Sequence, residues 1–171
     1  MARGAGLHHG LRTGGLQMKT VATAHEQGDR LVAEAETYCQ AHGLRLTPGR
    51  RSVLNMVARH AGAVKAYDLL EALTRPGARV MPPVVYRALD FWVAHGFVHR
   101  IASLNAYVAC GHPLHNHGCQ VLICDRCGEA VEVCNPRLRE CIEDTARASG
   151  FRFEKVALEI HGCCPPCQAR A

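Results

Sequence analysis

The chain has 171 residues, of which 48% are hydrophobic, and a formal net charge of +5. This length accommodates one ordinary domain or two small ones, with enough apolar side chains for a packed core. No apolar run approaches the roughly 18–20 residues that a membrane span requires, and the N-terminus lacks the pattern of a secretory signal. Ten cysteines without such a signal predict a reducing, cytoplasmic compartment and metal binding.

The positive charge is concentrated in the middle of the chain. Residues 44–105 carry nine basic and three acidic side chains, whereas residues 106–171 carry seven basic and eight acidic ones. A basic segment beside a nearly neutral, cysteine-rich one favours a polyanion-binding region joined to a metal-binding module. Charge alone leaves open the alternative that this is an ordinary solvated surface.

Residues 1–25 are rich in Gly, His and Thr. We predict that they form a disordered tail, or that the translation start has been wrongly placed upstream of Met18. Helical periodicity begins afterwards. Thr47 and Pro48 form a helix start signal, with Thr as N-cap and Pro at the first helical position. The predicted elements are helices over Asp29–Gly43, from Pro48 onward, over Ala66–Leu73 and over Pro82–Val93, then strands over Phe97–Ile101 and Ala106–Cys110.

This order of helices followed by a hairpin predicts a winged helix-turn-helix domain over residues 26–108. In that fold the helix before the hairpin lies in the DNA major groove. Residues 109–119 are predicted to be a hinge linker. The rest, residues 120–171, is predicted to be a small α/β dimerisation and zinc-binding domain of β-β-α-β order. Its elements are strands over Val121–Cys124 and Ala130–Val133, a helix from Pro136 to Gly150 and a strand over Phe151–Ile160. The predicted fold class is therefore α+β.

Two CxxC pairs indicate a structural zinc site. Four thiolates satisfy a tetrahedral zinc ion, and each pair supplies two of them from one tight turn. Disulfides or buried free thiols are the alternatives, but nothing in the chain looks secreted, and clustered cysteines in a reducing compartment usually hold metal. Cys163 could substitute for its neighbour, although the repeated two-residue interval favours the latter. The predicted ligands are Cys124, Cys127, Cys164 and Cys167.

A second group of metal-binding residue types surrounds the linker and comes from both halves of the chain. A metal bound there would connect the basic half to the α/β half and fix their relative orientation. Exposed loop histidines and ordinary strand packing are the alternatives. The candidates are His99, Cys110, His112, His115, His117, Cys119 and Glu132.

The sequence gives little support to an enzymatic function. A zinc hydrolase or deaminase needs H-E-x-x-H or H-x-E, and neither pattern occurs. A thioredoxin-like CxxC should open a helix near the N-terminus of its fold, unlike either pair here. We therefore expect no enzyme and no small-molecule substrate. The remaining thiols of Cys39, Cys134 and Cys141 are expected to be buried.

Five sequence runs resemble the ferric uptake regulator (Fur) family of metal-dependent repressors. They agree in order and spacing, and the resemblance extends from about Leu31 to Cys167. The runs are Leu46–Arg51, Ala66–Leu70, Pro82–Phe91, Gly96–His99 and Ile123–Gly128.

Within that family the chain most resembles the zinc uptake regulators (Zur). Iron-sensing members carry an HHDH-type run beside the first CxxC, whereas His117-Gly118-Cys119-Gln120-Val121 stands here. The zinc-sensing pattern places its regulatory ligands at His99, Cys110, His117 and Glu132. This mixed nitrogen, sulfur and oxygen set suits zinc better than ferrous iron. His112, His115 or Cys119 could take the place of His117.

The resemblance implies a homodimer that binds double-stranded operator DNA and represses zinc-uptake genes when zinc is plentiful in a bacterial cytoplasm. Two zinc ions per subunit are implied, one structural and one regulatory. A family member that senses iron, manganese, nickel or peroxide is the alternative.

Arg87, on the helix before the hairpin, is the first candidate for a base contact, because Arg pairs bidentately with guanine. Tyr86 is expected to support that helix or to contact a phosphate or a thymine methyl group. The resemblance brings Tyr67 near DNA from the preceding helix. Core packing is the alternative for both tyrosines. The candidate phosphate contacts are Arg50, Arg51 and Lys65, and the residues assigned to the core are Val84, Leu89 and Trp92.

Overall fold

The computed structural model describes residues 24–74, 81–114, 119–152 and 156–170. The predicted tail, up to residue 23, lies outside these ranges. The described elements, in chain order, are α1 (Ala24–Ala41), α2 (Pro48–Arg59), β1 (Val64–Lys65), α3 (Ala66–Leu73), α4 (Pro82–Ala94), β2 (Val98–Ile101), β3 (Ala106–Ala109), β4 (Cys119–Cys124), β5 (Ala130–Cys134), α5 (Pro136–Ala148), β6 (Leu158–Gly162) and α6 (Pro165–Gln168).

The first four helices and a small sheet form a helical lobe. Thr47 caps α2 as predicted, because its hydroxyl accepts a hydrogen bond from the Arg50 amide at 3.3 Å. Trp92 of α4 is fully buried, and its indole N–H donates to the Arg50 carbonyl at 2.8 Å. This bond satisfies the polar atom of the largest core side chain and fixes α4 against α2.

The sheet of this lobe has the strand order β1-β3-β2, and all its pairings are antiparallel. β2 and β3 form the predicted hairpin directly after α4, which completes the winged-helix arrangement. Asn105 adopts a positive φ of 47° in the connecting turn, a conformation that Asn tolerates better than most residues. β1 was not predicted, because two residues are too short to show a period.

The second sheet has the order β5-β4-β6, with β4 antiparallel to β5 and parallel to β6. α5 provides the crossover between the two parallel strands. Val121, Ile123 and Ala130, on the inner face of this sheet, are buried against Ile101 and Val108 of the hairpin. The β2–β3 hairpin, which is the wing, therefore packs the helical lobe against the C-terminal lobe, and Ala63, directly before β1, packs against the same apolar cluster.

The prediction of the last strand was wrong at its N-terminal boundary. Phe151 is 75% exposed, and its amide donates to the Ala146 carbonyl at 2.9 Å. Gly150, with a φ of +74°, allows the chain to close α5 in this way. Phe151 thus belongs to the helix terminus, and the strand begins only at Leu158.

Other burial predictions also need correction. Val84 of α4 is 45% exposed, because it lies on the side of the helix away from Leu89 and Trp92, which are fully buried as predicted. Cys134 and Cys141 are exposed, whereas Cys39 is buried as expected. Among the helices of the described residues, none combines the length and hydrophobicity needed to cross a membrane.

Candidate metal centres and nucleic-acid interface

The four predicted cysteines converge at one end of the C-terminal sheet. Because β4 and β6 are parallel neighbours, with Cys124 opposite Gly162, the turns that follow them meet. Cys124 and Cys127 come from the first turn, and Cys164 and Cys167 come from the start of α6. All four sulfur atoms lie within 4.8 Å of one another, with 3.7 Å between Cys127 Sγ and Cys164 Sγ.

The local hydrogen bonds favour a thiolate at this site. The Cys164 amide donates to Cys124 Sγ at 3.3 Å, and this bond, with another from the Cys127 amide, lowers the pKa of Cys124 to about 6. The pKa of Cys167 is raised, because its thiol is hydrogen-bonded to Cys164 and Cys127 within the same cluster. One sulfur of the group is thus easily deprotonated and another is not, and a divalent cation that binds all four would stabilise their thiolate forms.

Cys163 lies beside this cluster and outside its sulfur group. Its thiol donates to the Cys164 carbonyl at 3.8 Å, and burial is the largest of the effects that raise its pKa. The group of four contains Cys164, as the spacing predicted. Gly128, at a φ of +73°, allows the first CxxC turn to close with a 2.8 Å bond from its amide to the Cys124 carbonyl.

A second cluster lies between the two lobes. His99 of β2 and Cys110, directly after β3, come from the wing, whereas Glu132 comes from β5 of the C-terminal sheet. One ligand atom from each lies within 4.8 Å of the others. Glu132 Oε1 is 3.4 Å from His99 Nε2 and 3.6 Å from Cys110 Sγ. Three of the four predicted regulatory residues therefore meet, although they are far apart in sequence.

The environment of this cluster fits a bound cation. His99 Nε2 is fully buried and has no hydrogen-bond partner of good geometry among the described residues. A polar atom buried in this way is costly unless a ligand satisfies it. Glu132 is oriented by the Gly111 amide, which donates to its Oε2 at 2.7 Å. Burial alone would lower the pKa of His99, but Cys110 and Glu132 raise it to about 9.

The fourth predicted ligand, His117, lies outside the described residues, as does His115, and nothing is described of the Cys119 side chain. His112 is described, and its Nδ1 lies 3.9 Å from Cys134 Sγ. Cys134 Sγ in turn lies 3.8 Å from Glu132 Oε1. Sequence reasoning assigned Cys134 to a core, but its position two residues after Glu132 on β5 was a signal that it borders this cluster.

The predicted DNA contacts divide into two groups. Tyr67, Tyr86, Arg87 and Lys65 are exposed, with Tyr67 at 70% and Tyr86 at 49%. Arg50 instead places its guanidinium 3.6 Å from the centre of the Phe91 ring. Arg51 forms an ion pair with Glu36 of α1 at 2.5 Å. The two arginines thus have intramolecular partners, and the first group is better placed to reach a phosphate or a base.

We predict that Cys124→Ser abolishes metal binding at the four-cysteine site and unfolds the C-terminal lobe. Structural zinc contributes about 10–16 kcal/mol in small zinc domains, which matches or exceeds the about 5–15 kcal/mol stability of a whole domain. Metal content per chain and amide hydrogen exchange of the C-terminal lobe measure the loss. Cys163→Ser is the matched control and should keep both signals; equal losses in the two variants would contradict the assignment.

The sequence of the chain is similar to those of one family of known proteins. Residues 41–161 match the model of the ferric uptake regulator family. The chain is 40% identical to the zinc uptake regulation protein of Escherichia coli over 140 residues, covering 80% of this chain and 81% of that protein.

Solved structures agree with this match. A zinc uptake regulator complexed with zinc and DNA is 39% identical, with a TM-score of 0.77, over 84% of this chain and 96% of that one. Holo XcZur is 45% identical, with a TM-score of 0.75, over 82% of this chain and 99% of that one. Apo XcZur, at 42% identity over 84% and 99% of the two chains, gives a TM-score of only 0.51. The chain belongs to the ferric uptake regulator family.

Proposed function

We propose that the chain is a zinc-responsive transcriptional repressor whose homodimer binds operator DNA of zinc-uptake genes when zinc is plentiful. The observation that carries this proposal is the convergence of His99, Cys110 and Glu132 from two lobes on one buried point. A group that holds these side chains together necessarily sets the position of the wing, and of α4 before it, relative to the C-terminal sheet.

The donor atoms support zinc as the signal. One imidazole nitrogen, one thiolate and one carboxylate suit zinc, whereas ferrous iron is held by nitrogen and oxygen ligands without a thiolate. Relatives that are 40% and 39% identical to the chain are named for zinc uptake. We propose two zinc ions per subunit. The four-cysteine cluster would hold a structural ion, and the inter-lobe cluster, completed by His117, would hold a regulatory one.

Without a ligand the cluster buries His99 Nε2 and the Glu132 carboxylate 3.4 Å apart with no hydrogen bond of good geometry between them, and burying such a pair is costly unless hydrogen bonds satisfy it. Separation of the lobes would expose both groups to water. Zinc supplies the positive charge that removes this penalty when it is bound. The chain resembles holo XcZur more than apo XcZur, at similar identity, which supports two lobe arrangements that differ with ligation. Residues 109–119 would serve as the hinge between domains at 26–108 and 120–171.

The outer face of the C-terminal sheet supports a homodimer. Leu122 of β4 lies opposite Val131 of β5 and Ile160 of β6, and all three are between 41% and 47% exposed. Within the described chain, α5 also buries none of its residues in the protomer. A contiguous apolar row and an unburied helix on one module are typical of a surface that a second copy covers.

The exposed face of α4 supports DNA binding. Arg87 and Tyr86 project from this helix, and Lys65 and Tyr67 are exposed at the start of α3. In a two-fold dimer, both α4 helices enter successive major grooves only when they are separated by about 34–36 Å or a multiple. The lobe arrangement therefore controls DNA affinity, since it sets that separation.

The central prediction concerns zinc-dependent DNA binding. Fluorescence anisotropy would be measured across buffered free-zinc levels with a duplex that the zinc-loaded wild type selects from a random pool. We expect zinc to strengthen wild-type binding by at least about tenfold, within the usual range of allosteric coupling. Cys110→Ser should reduce this gain below about twofold while the dimer persists, because it removes the only thiolate from the cluster of His99, Cys110 and Glu132.

Cys141→Ser, at an exposed thiol of α5, is the matched control and should retain the zinc response. Wild-type binding that is equal with and without zinc would refute the sensor assignment. A response to ferrous iron or manganese at lower free metal than zinc would assign the chain to a sibling sensor.

A second prediction concerns the dimer. Leu122→Glu places a carboxylate in the apolar row, and burying it without a partner costs several kcal/mol. We expect sedimentation equilibrium to show at least about 100-fold weaker dimerisation. Met81→Glu, at a residue of the helical lobe that is 59% exposed, should leave the dimer intact. An undiminished Leu122→Glu dimer would place the interface elsewhere.

A further inference from the structure

The tip of the wing is bound by one carboxylate from the C-terminal sheet. Glu159 of β6 accepts hydrogen bonds from two successive amides of the wing turn, Ala102 at 2.6 Å through Oε1 and Ser103 at 3.2 Å through Oε2. The partners are 57 and 56 residues apart in sequence and belong to different lobes. Neither Glu159 nor the two residues of the wing turn belong to the cluster formed by His99, Cys110 and Glu132.

Glu159 is ionised in this arrangement. Its pKa is lowered chiefly by a hydrogen bond from the Ser103 side chain, against the effect of burial, and further by the two wing amides and by His161. Hydrogen bonds to a charged acceptor are about twice as strong as those between neutral groups. The Glu159 side chain is only 20% exposed, so water competes for it less than at an open surface.

The carboxylate is also connected to the four-cysteine site. His161 Nε2 lies 4.0 Å from Glu159 Oε2, and the other ring nitrogen lies 2.8 Å from Asp125 Oδ1. Asp125 stands between Cys124 and Cys127 in the first CxxC turn, and its amide donates to the Gly162 carbonyl at 2.8 Å. The cysteine turn and the wing tip are therefore joined through two side chains of β6.

This contact belongs to the lobe arrangement that resembles the zinc- and DNA-bound relative. The wing follows α4 directly, so holding its tip restricts the orientation of the DNA-contacting helix. The buried residues Ile101 and Val108 pack on the C-terminal sheet beside the same turn. Apolar packing alone tolerates small rotations of the wing against the sheet. Two hydrogen bonds to one carboxylate restrict the angle between the wing and the sheet, because hydrogen bonds are directional.

We propose that Glu159 is a positioning residue for DNA binding, which holds the wing tip and thereby favours the lobe arrangement that fits DNA. The inference rests on the proposed function for the meaning of that arrangement.

The test uses the zinc-loaded, full-length dimer and the selected duplex. Glu159→Gln keeps the size of the side chain but removes the charge that attracts the two amides. Glu129→Gln, at an exposed residue of the turn before β5, makes the same change in net charge in the same lobe, away from α5 and from the apolar row. His161→Asn removes the connection to Asp125 and leaves the carboxylate in place. The readouts are amide hydrogen exchange at Ala102 and Ser103, and DNA affinity at saturating zinc.

We expect Glu159→Gln to speed exchange at both amides and to weaken DNA binding by about tenfold, with no change in metal content or dimerisation. His161→Asn should give a smaller effect in the same direction, and Glu129→Gln should match the wild type. Unchanged exchange, or affinity within twofold of the Glu129→Gln control, would overturn the inference. A wild type that ignores zinc would refute the sensor assignment instead, because the comparison between variants is made at one zinc level.

Discussion

The contact between the wing hairpin and the inner face of the C-terminal sheet brings together the three described residues of the proposed regulatory metal site. Ile101 and Val108 of the wing pack on Val121, Ile123 and Ala130, and His99 and Cys110 face Glu132 at the edge of this contact. The apolar cluster is much smaller than the core of the helical lobe, which includes Trp92, Phe97 and Leu54. Since each fully buried aliphatic side chain contributes only about 1.5–3 kcal/mol, such an interface can be strengthened or lost through a few polar contacts.

The two clusters of metal-binding residues differ in what they join. The four cysteines connect two turns of one sheet, at the ends of the parallel neighbours β4 and β6, so they stabilise a single lobe. The other cluster connects separate lobes and contains a buried imidazole nitrogen that no described residue satisfies. The first arrangement suits a permanent structural ion, and the second suits an ion that comes and goes with supply.

Local signals in the sequence predicted much of this architecture. Thr47 and Pro48 predicted the start of α2, and the CxxC spacing predicted the four-cysteine group. The resemblance to the zinc-sensing pattern, not a local signal, grouped Glu132 with His99 and Cys110. Contacts between residues distant in sequence had no such signal. The bonds from Glu159 to the wing amides span more than fifty residues, and the placement of Arg50 over Phe91 depends on how α2 meets α4.

The structure at the ends of α5 and β5 was also not predicted. Phe151 looked like the start of a strand because it is apolar and begins an alternating pattern, but the helix-closing bonds at Gly150 and Phe151 compete with strand formation there. Cys134 looked like a core thiol because isolated cysteines are usually buried, yet it lies at the end of an edge strand, near His112 and Glu132. At Phe151 the local helix terminus outweighed the average preference of the residue type, and at Cys134 the tertiary surroundings did.

The central claim is that ligation between the lobes sets their separation, and single-molecule energy transfer tests it most directly. Dyes at the exposed residues Glu71 of α3 and Arg170 after α6, within one protomer of a heterodimer, would report the distance between the lobes. The account predicts one narrow distance distribution with zinc and a broad or shifted one without it, with Cys110→Ser resembling the zinc-free wild type at all zinc levels. An identical narrow distribution in all these states would contradict it.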